Sequence, residues 1–88
     1  MRVTTVIVPI FNAPDELAVC LQSLQEKTPA RARVILIDDA STDPRISQLL
    51  AECPKRWTVV ENEKNIGFVA TANLGMTLAA TDDVVLLN

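Results

Sequence analysis

Histidine is missing from this chain, and glycine occurs only twice. The first absence removes His-based activation of a nucleophile and His metal ligands, leaving carboxylates as the strongest acid–base groups. The second leaves no strand followed by G-x-G-x-x-G or G-x-x-x-x-G-K-[ST], so neither an ordinary dinucleotide fold nor a P-loop enzyme is expected. Phosphate would then have to be held mainly by something else, such as a metal ion. Basic residues are outnumbered, 8 Lys and Arg against 11 Asp and Glu, for a formal net charge of -3. That balance argues against nucleic acid as a partner, which needs clustered Lys and Arg. The short pairs Arg31 with Arg33 and Lys55 with Arg56 read as solvated loop charges. Long apolar runs are lacking as well. The opening run Val3 to Ile10 is too short to cross a membrane and has no cleavable signal layout. Of cysteine there are 2, Cys20 and Cys53, too far apart for a metal pair and set on apolar positions of expected helices. They read as buried free thiols, which fits a reducing cytoplasm.

What is present is organised around Val34-Ile35-Leu36-Ile37-Asp38-Asp39-Ala40-Ser41-Thr42-Asp43. Its apolar run suits a strand buried on both faces, as in a parallel sheet. Asp43-Pro44 reads as a helix start, with Asp as the N-cap acceptor and Pro at the first helical position. Asp38 and Asp39 should therefore stand at the carboxyl end of a central strand, where open α/β sheets hold their ligands. Before this stretch come a β-branched strand, Val3 to Val8, ended by Pro9, and a helix opening at Pro14-Asp15-Glu16 with Leu17, Cys20, Leu21 and Leu24 on one face. After it come a helix with Ile46, Leu49, Leu50 and Cys53 as its stripe, and a less apolar strand, Trp57 to Glu61, expected near an edge. A third helix is expected over roughly Phe68 to Ala80, then a turn at Asp82-Asp83, then a fourth buried strand, Val84 to Leu87. The order β-α-β-α-β-α-β predicts a three-layer, Rossmann-like α/β sheet of about four parallel strands with three crossover helices. At 88 residues this is one small domain or part of a larger one, and its stop at Asn88, where a ligand-end loop is due, reads as the N-terminal part of something longer.

Three loops converge at the carboxyl edge: Pro9 to Ala13, Asp38 to Asp43, and Asn62 to Gly67. Phe11 either offers a stacking face, worth about 1–3 kcal/mol for a planar heterocycle, or caps the core. Asp39 can accept from a ring N–H. Asp38 either joins the site or holds loop amides in an Asx-type turn. Asn65 and Gly67 offer close backbone approach at a helix N-terminus, a natural place for phosphate oxygens. Thr71 and Asn73 interrupt the third helix, facing solvent or capping local amides unless they meet a ligand. Gly75 is accounted for by close packing of helix on sheet. Asp82-Asp83 precedes the fourth strand, so it lies at the opposite edge and reads as a solvated turn.

Val6-Ile7-Val8-Pro9-Ile10-Phe11-Asn12, the Val34 to Asp43 stretch, and Asn65-Ile66-Gly67-Phe68 with Ala72-Asn73-Leu74-Gly75 together resemble the family 2 glycosyltransferases of GT-A fold, over essentially the whole chain. The resemblance implies the N-terminal half of a GT-A domain, residues 1–88, binding the nucleotide of a nucleotide-diphosphate sugar, with a lean to UDP. By similarity, Phe11 stands beside the base where the family often has Tyr, Asp39 accepts from the base N3–H, and Asp38 shapes the loop. Asn65 and Asn73 fall on the family's N-x-G and A-x-N-x-G positions near the donor. The implied substrate-binding set is Pro9, Phe11, Asn12, Asp38, Asp39, Asn65, Gly67 and Asn73, with no catalytic or metal-ligating residue. The family's D-x-D-type carboxylates, which hold Mg2+ or Mn2+ on the diphosphate, follow the strand matching Val84 to Leu87, after this sequence ends. So do the acid that deprotonates the acceptor hydroxyl and the acceptor-binding half. The resemblance therefore implies a glycosyltransferase as the longer protein and an inert 88-residue piece, in the cytoplasm or at the inner face of a membrane through parts outside this chain. The acceptor, whether saccharide, lipid or protein, stays open. An unfinished sheet would expose apolar surface and allow a homodimer. A receiver-like signalling domain lacks the phosphoacceptor Asp it needs, since the third strand ends in Glu61-Asn62. A sugar-nucleotide pyrophosphorylase lacks its Gly-rich basic loop after the first strand. A non-catalytic nucleotide-binding or assembly module remains the main alternative.

Overall fold

A computed structural model describes residues 3–80 and 83–87. Its elements are β1 (Thr4–Ile10), α1 (Pro14–Lys27), β2 (Arg33–Asp38), α2 (Pro44–Ala51), β3 (Thr58–Glu61), α3 (Phe68–Ala79) and β4 (Asp83–Leu86). All strand pairs are parallel, in the order β3-β2-β1-β4. The expected α/β architecture is therefore present. After β3 the chain crosses back to the far side of β1, so the strand order reverses between β1 and β4. Such a reversal opens a crevice at the carboxyl ends of the strands.

The two faces of the sheet are covered differently. Val6, Val8, Ile10, Val34 and Leu36 meet Leu17, Leu21 and Leu24 of α1, Ile46 and Leu50 of α2, and Trp57. The alternate residues Ile7, Ile35 and Ile37 face the other way and meet Ala79 and Leu74 of α3. That is the period-2 pleat of a strand apolar on both sides. The buried positions of α3 are small: Thr71, Ala72, Gly75 and Ala79. A Cβ on Gly75 would overlap Ile7 Cγ2 and come within 3.1 Å of Ile37 Cδ1, so this glycine lets the helix lie close on β1 and β2. Close packing of helix on sheet thus accounts for Gly75.

Helix starts follow the sequence signals. Pro14 and Pro44 stand in the first turns of α1 and α2, and the Asp43 side chain caps α2 by accepting from the Arg45 N–H at 2.9 Å.

Three expectations need correction. β3 begins at Thr58, while Trp57 drops into the core against α1 and α2. Cys20 and Cys53 are half-buried free thiols, and Cys53 lies beyond the end of α2; burial pushes both thiols up from their ordinary value. β4 is not buried: Val84, Val85 and Leu86 are 37%, 44% and 36% exposed. An apolar run reports that a strand suits cover on both faces, but within this chain β4 is an outer strand, paired with β1 on one side. Asp83 lies at the amino edge as expected, but as the first residue of β4, paired opposite Thr4, and not in a turn. Asp82 and the predicted stop at Asn88 lie outside the described residues.

Candidate functional site

The carboxyl ends of β1, β2 and β3 are flush. Ile10 lies opposite Asp38, and Asp38 opposite Glu61. The ladder continues one bond further, with the Asp39 N–H donating to the Ile10 carbonyl at 2.7 Å and the Asn62 N–H to the Asp38 carbonyl at 2.8 Å. The pleat then decides where the paired carboxylates go. Leu36 faces α1 and α2 and Ile37 faces α3. The same alternation sends Asp38 to the first side and Asp39 to the second.

Their hydrogen bonds agree. Asp38 Oδ1 accepts from the Ser41 N–H at 3.0 Å, closing an Asx-type turn. Beside it, Asn12 ties the β1 loop to the β2 loop. Asn12 Oδ1 accepts from the Thr42 and Asp43 amides at 2.9 and 3.0 Å, its own N–H donates to Ser41 Oγ at 2.7 Å, and its Nδ2 donates to Thr42 Oγ1 at 3.3 Å. Asn12 and Ala13 have φ of 52° and 55°, and Ala40 has φ of 59°. This cross-tied pair of loops holds three non-glycine residues in the left-handed region.

Asp39 works on the α3 side. Its Oδ1 accepts from Ile66 N–H at 2.8 Å and from Asn62 Nδ2 at 3.0 Å, and its Oδ2 accepts from Gly67 N–H at 2.9 Å. Its backbone carbonyl accepts from Asn65 Nδ2 at 3.2 Å. Thus the amides that the sequence offers to phosphate oxygens are taken by a carboxylate of the chain, set at the positive end of α3. Gly67, the N-cap, has φ of 92° and empty space where a Cβ would stand, so its need for glycine is conformational. Burial alone would push the Asp39 carboxyl up. Hydrogen bonds from Asn62, the Ile66 and Gly67 amides and Thr71 outweigh it, holding Asp39 below the usual carboxylate range.

A cavity of about 360 Å³ opens beside Asp39, lined by Pro9, Ile10, Phe11, Asn65, Gly67, Phe68 and Thr71. Phe11 is 53% exposed and Phe68 48%, so neither caps the core. Both stand on the cavity lining as aromatic faces beside a buried acceptor. Of the expected site residues, Pro9, Phe11, Asp39, Asn65 and Gly67 come together here. Asn12 lines a smaller cavity of about 170 Å³ toward α1, with Pro9, Ile10 and Phe11 shared between the two. Asp38 serves the loop on that same side. Asn73 is exposed on α3, its carbonyl accepting from Thr77 Oγ1 at 3.0 Å, and it does not line the larger cavity.

Residue-by-residue reading missed Phe68, Asn62 and the buried role of Thr71. Thr71 is fully buried, and its Oγ1 accepts from Asn62 Nδ2 at 3.3 Å. A signal was available: Thr71, Gly75 and Ala79 recur every four residues, a packing stripe on which a hydroxyl must be satisfied internally. Among the described residues, no group of three His, Cys, Asp or Glu side chains could hold a metal ion.

Comparison with known proteins gives a consistent picture. The model of the family described as Glycosyl transferase family 2 matches residues 5–88. An uncharacterized glycosyltransferase of Haemophilus influenzae is 31% identical over 74 residues, spanning 82% of this chain and 23% of that protein. The glycosyltransferase GlyA of Streptococcus pneumoniae is 34% identical over 74 residues, spanning 82% of this chain and 10% of its own length. The chain therefore spans about a quarter or less of these two relatives. A solved structure, the mannosyltransferase PcManGT from Pyrobaculum calidifontis in complex with GDP-Man and Mn2+, superposes with a TM-score of 0.65 at 25% identity. The match covers 90% of this chain and 25% of that one.

Proposed function

This chain belongs to glycosyl transferase family 2, and we propose that it forms the part of such an enzyme that receives the nucleotide of a nucleotide-diphosphate-sugar donor. The observation that carries this reading is the cavity at the carboxyl ends of β1 and β2, where an ionised, buried acceptor, Asp39, lies beside the exposed rings of Phe11 and Phe68. A flat heterocycle with a ring N–H fits that chemistry: it stacks on an aromatic face and donates to a carboxylate. UDP is the proposed nucleotide. The GDP-Man held by the mannosyltransferase supports the broader class of nucleotide-sugar donors.

The chain's contribution is recognition and orientation, and the longer protein transfers the glycosyl group to an acceptor hydroxyl. Mg2+ or Mn2+ is proposed for the longer protein, supported by the Mn2+ of the mannosyltransferase complex. The described residues do not fit a metal site. No catalytic residue is assigned within the chain, and by itself it is proposed to be inactive in transfer. A location in the cytoplasm, or at the inner face of a membrane through parts outside this chain, belongs to the same proposal. Among the described residues no helix is long and apolar enough to cross a membrane. The exposed apolar edge of β4 supports self-association, which light scattering across concentration would reveal as a dimer.

Titration of the chain with UDP in metal-free buffer tests the reading. Weak binding that Asp39→Ala abolishes is expected. Failure of both the chain and a longer protein containing it to bind any nucleoside diphosphate would overturn it.

A further inference from the structure

Adjacent to the cavity is a polar pair that neither the family resemblance nor the nucleotide reading uses. Asn62 follows β3 directly and is fixed twice: its N–H donates to the Asp38 carbonyl at 2.8 Å, and its Nδ2 is shared between Asp39 Oδ1 at 3.0 Å and Thr71 Oγ1 at 3.3 Å. Thr71 sits one turn into α3, fully buried on the stripe that packs against the sheet. A buried hydroxyl on a face otherwise lined by Ala and Gly costs desolvation unless it is paired. Here it is paired, into a chain running from α3 through the end of β3 to the carboxylate at the end of β2. The backbone amides of Ile66 and Gly67 complete the ring of donors around Asp39. Three N–H donors hold the Asp39 carboxylate, and the Thr71 hydroxyl bonds it as a further partner.

We infer that Asn62 and Thr71 are positioning residues that fix the Asp39 carboxylate where it lines the cavity. The inference rests on the nucleotide reading for its ligand and on the structure alone for the positioning. An acceptor held in place and unable to turn over selects bases whose ring nitrogen carries a hydrogen, such as uracil and guanine. It disfavours cytosine, whose corresponding ring nitrogen is an acceptor, because two acceptors would then face each other without a proton. Asn62 cannot relax independently, since its backbone is part of the sheet ladder, and Thr71 cannot leave the packed face. The partners of Asp39 are all neutral, while Glu61, Glu63 and Lys64 in the neighbouring segment are exposed and Asp38 turns to the other face. The terminal phosphate of UDP also titrates, at about pH 6, but equally for every variant, so the difference in acid limb between variants reports on Asp39 and its donors.

The test compares the chain with its Thr71→Val, Thr71→Ser and Asn62→Ala variants, titrated with UDP and CDP by calorimetry from neutral to acid pH. Thr71→Val keeps shape and loses only the hydroxyl, and melting curves verify its fold. The UDP-over-CDP preference is expected to fall about tenfold in Thr71→Val, the size of one hydrogen bond. Thr71→Ser should keep it within about twofold, since the hydroxyl is retained. The acid limb of UDP binding should move to higher pH in Thr71→Val and Asn62→Ala as donors to the carboxylate are lost. Unchanged preference and an unchanged acid limb, with UDP still bound, would overturn the positioning role and leave the nucleotide reading standing. If neither the unmodified chain nor a longer protein containing it binds a nucleoside diphosphate, the nucleotide reading fails instead. The positioning role is then decided by NMR titration of the Asp39 carboxyl without ligand: a midpoint higher in Thr71→Val sustains it, and an equal midpoint overturns it.

Discussion

The two faces of this sheet are made of different materials. Toward α1 and α2 the strands meet Leu, Ile and Trp side chains, and the loops at that end are cross-tied by Asn12 and Asp38. Toward α3 they meet Ala, Gly and a buried Thr, and the loop at that end is gathered around Asp39 beside an open cavity. Neighbouring carboxylates thus do separate jobs because the pleat sends them to opposite faces. The first face supplies stability from burial. The second trades side-chain volume for close helix approach and keeps a charged acceptor at the cavity wall.

Substitutions on each face should break this contrast in different ways. The largest effect is expected from Ile46→Ala, which empties a fully buried position on the α1–α2 face and should cost about 2–5 kcal/mol in denaturant unfolding. Nucleotide affinity per folded molecule should barely move, because Ile46 does not line the larger cavity. On the other face, Gly75→Ala adds a methyl against the β-branched Ile7, and overpacking should cost about 1–3 kcal/mol despite the better helix propensity of Ala. Pushing α3 off β1 should also weaken UDP binding, which Ile46→Ala does not predict.

Asp39→Asn comes next. One carboxylate oxygen becomes an NH2 facing backbone donors, at a cost of about 1–3 kcal/mol near neutral pH. The pH dependence follows from the direction of the shift. A carboxyl held below its ordinary value of about 3.9 contributes fully above that value and loses the contribution as pH falls through the lower folded midpoint. Unfolding followed from pH 7 downward should therefore show a shallower acid loss in Asp39→Asn, with the acid step of Asp43, also held low by its bonds to Arg45, remaining. Smallest of all is Asp38→Asn, which is buried but keeps an oxygen for the Ser41 amide and should change stability by about 1 kcal/mol or less. A large Asp38→Asn effect, or none from Asp39→Asn, would contradict the division of labour.

How far the sequence discloses this arrangement varies by element. β1 and β2 were legible because a continuous β-branched run suits little besides a strand buried on both faces, and α2 because Asp43-Pro44 carries both a cap acceptor and a preset first residue. The convergence of the Phe11, Asp39 and Gly67 loops followed from strand direction. The bonding of Asp39 to the α3 amides did not, since it depends on how closely the helix descends on the sheet. That descent is set by Gly75 and its small neighbours, whose spacing is visible only once α3 is known to pack there. The pairing of Asn62 with Thr71 was not legible, because each looks like an ordinary loop or helix polar residue until the fold brings them together. The exposure of β4 was illegible for a different reason: an apolar run indicates suitability for cover and says nothing about its source.

The central claim is that the α3 face, read by Asp39, receives the nucleotide while the α1–α2 face only supports it. Amide NMR of the labelled chain during titration with UDP tests this most directly. Shifts are predicted at Phe11, Ile66, Gly67 and Phe68, with Ser41 and Thr42 nearly still. Shifts confined to the Ser41–Thr42 side, or shifts that persist unchanged in Asp39→Ala, would contradict it.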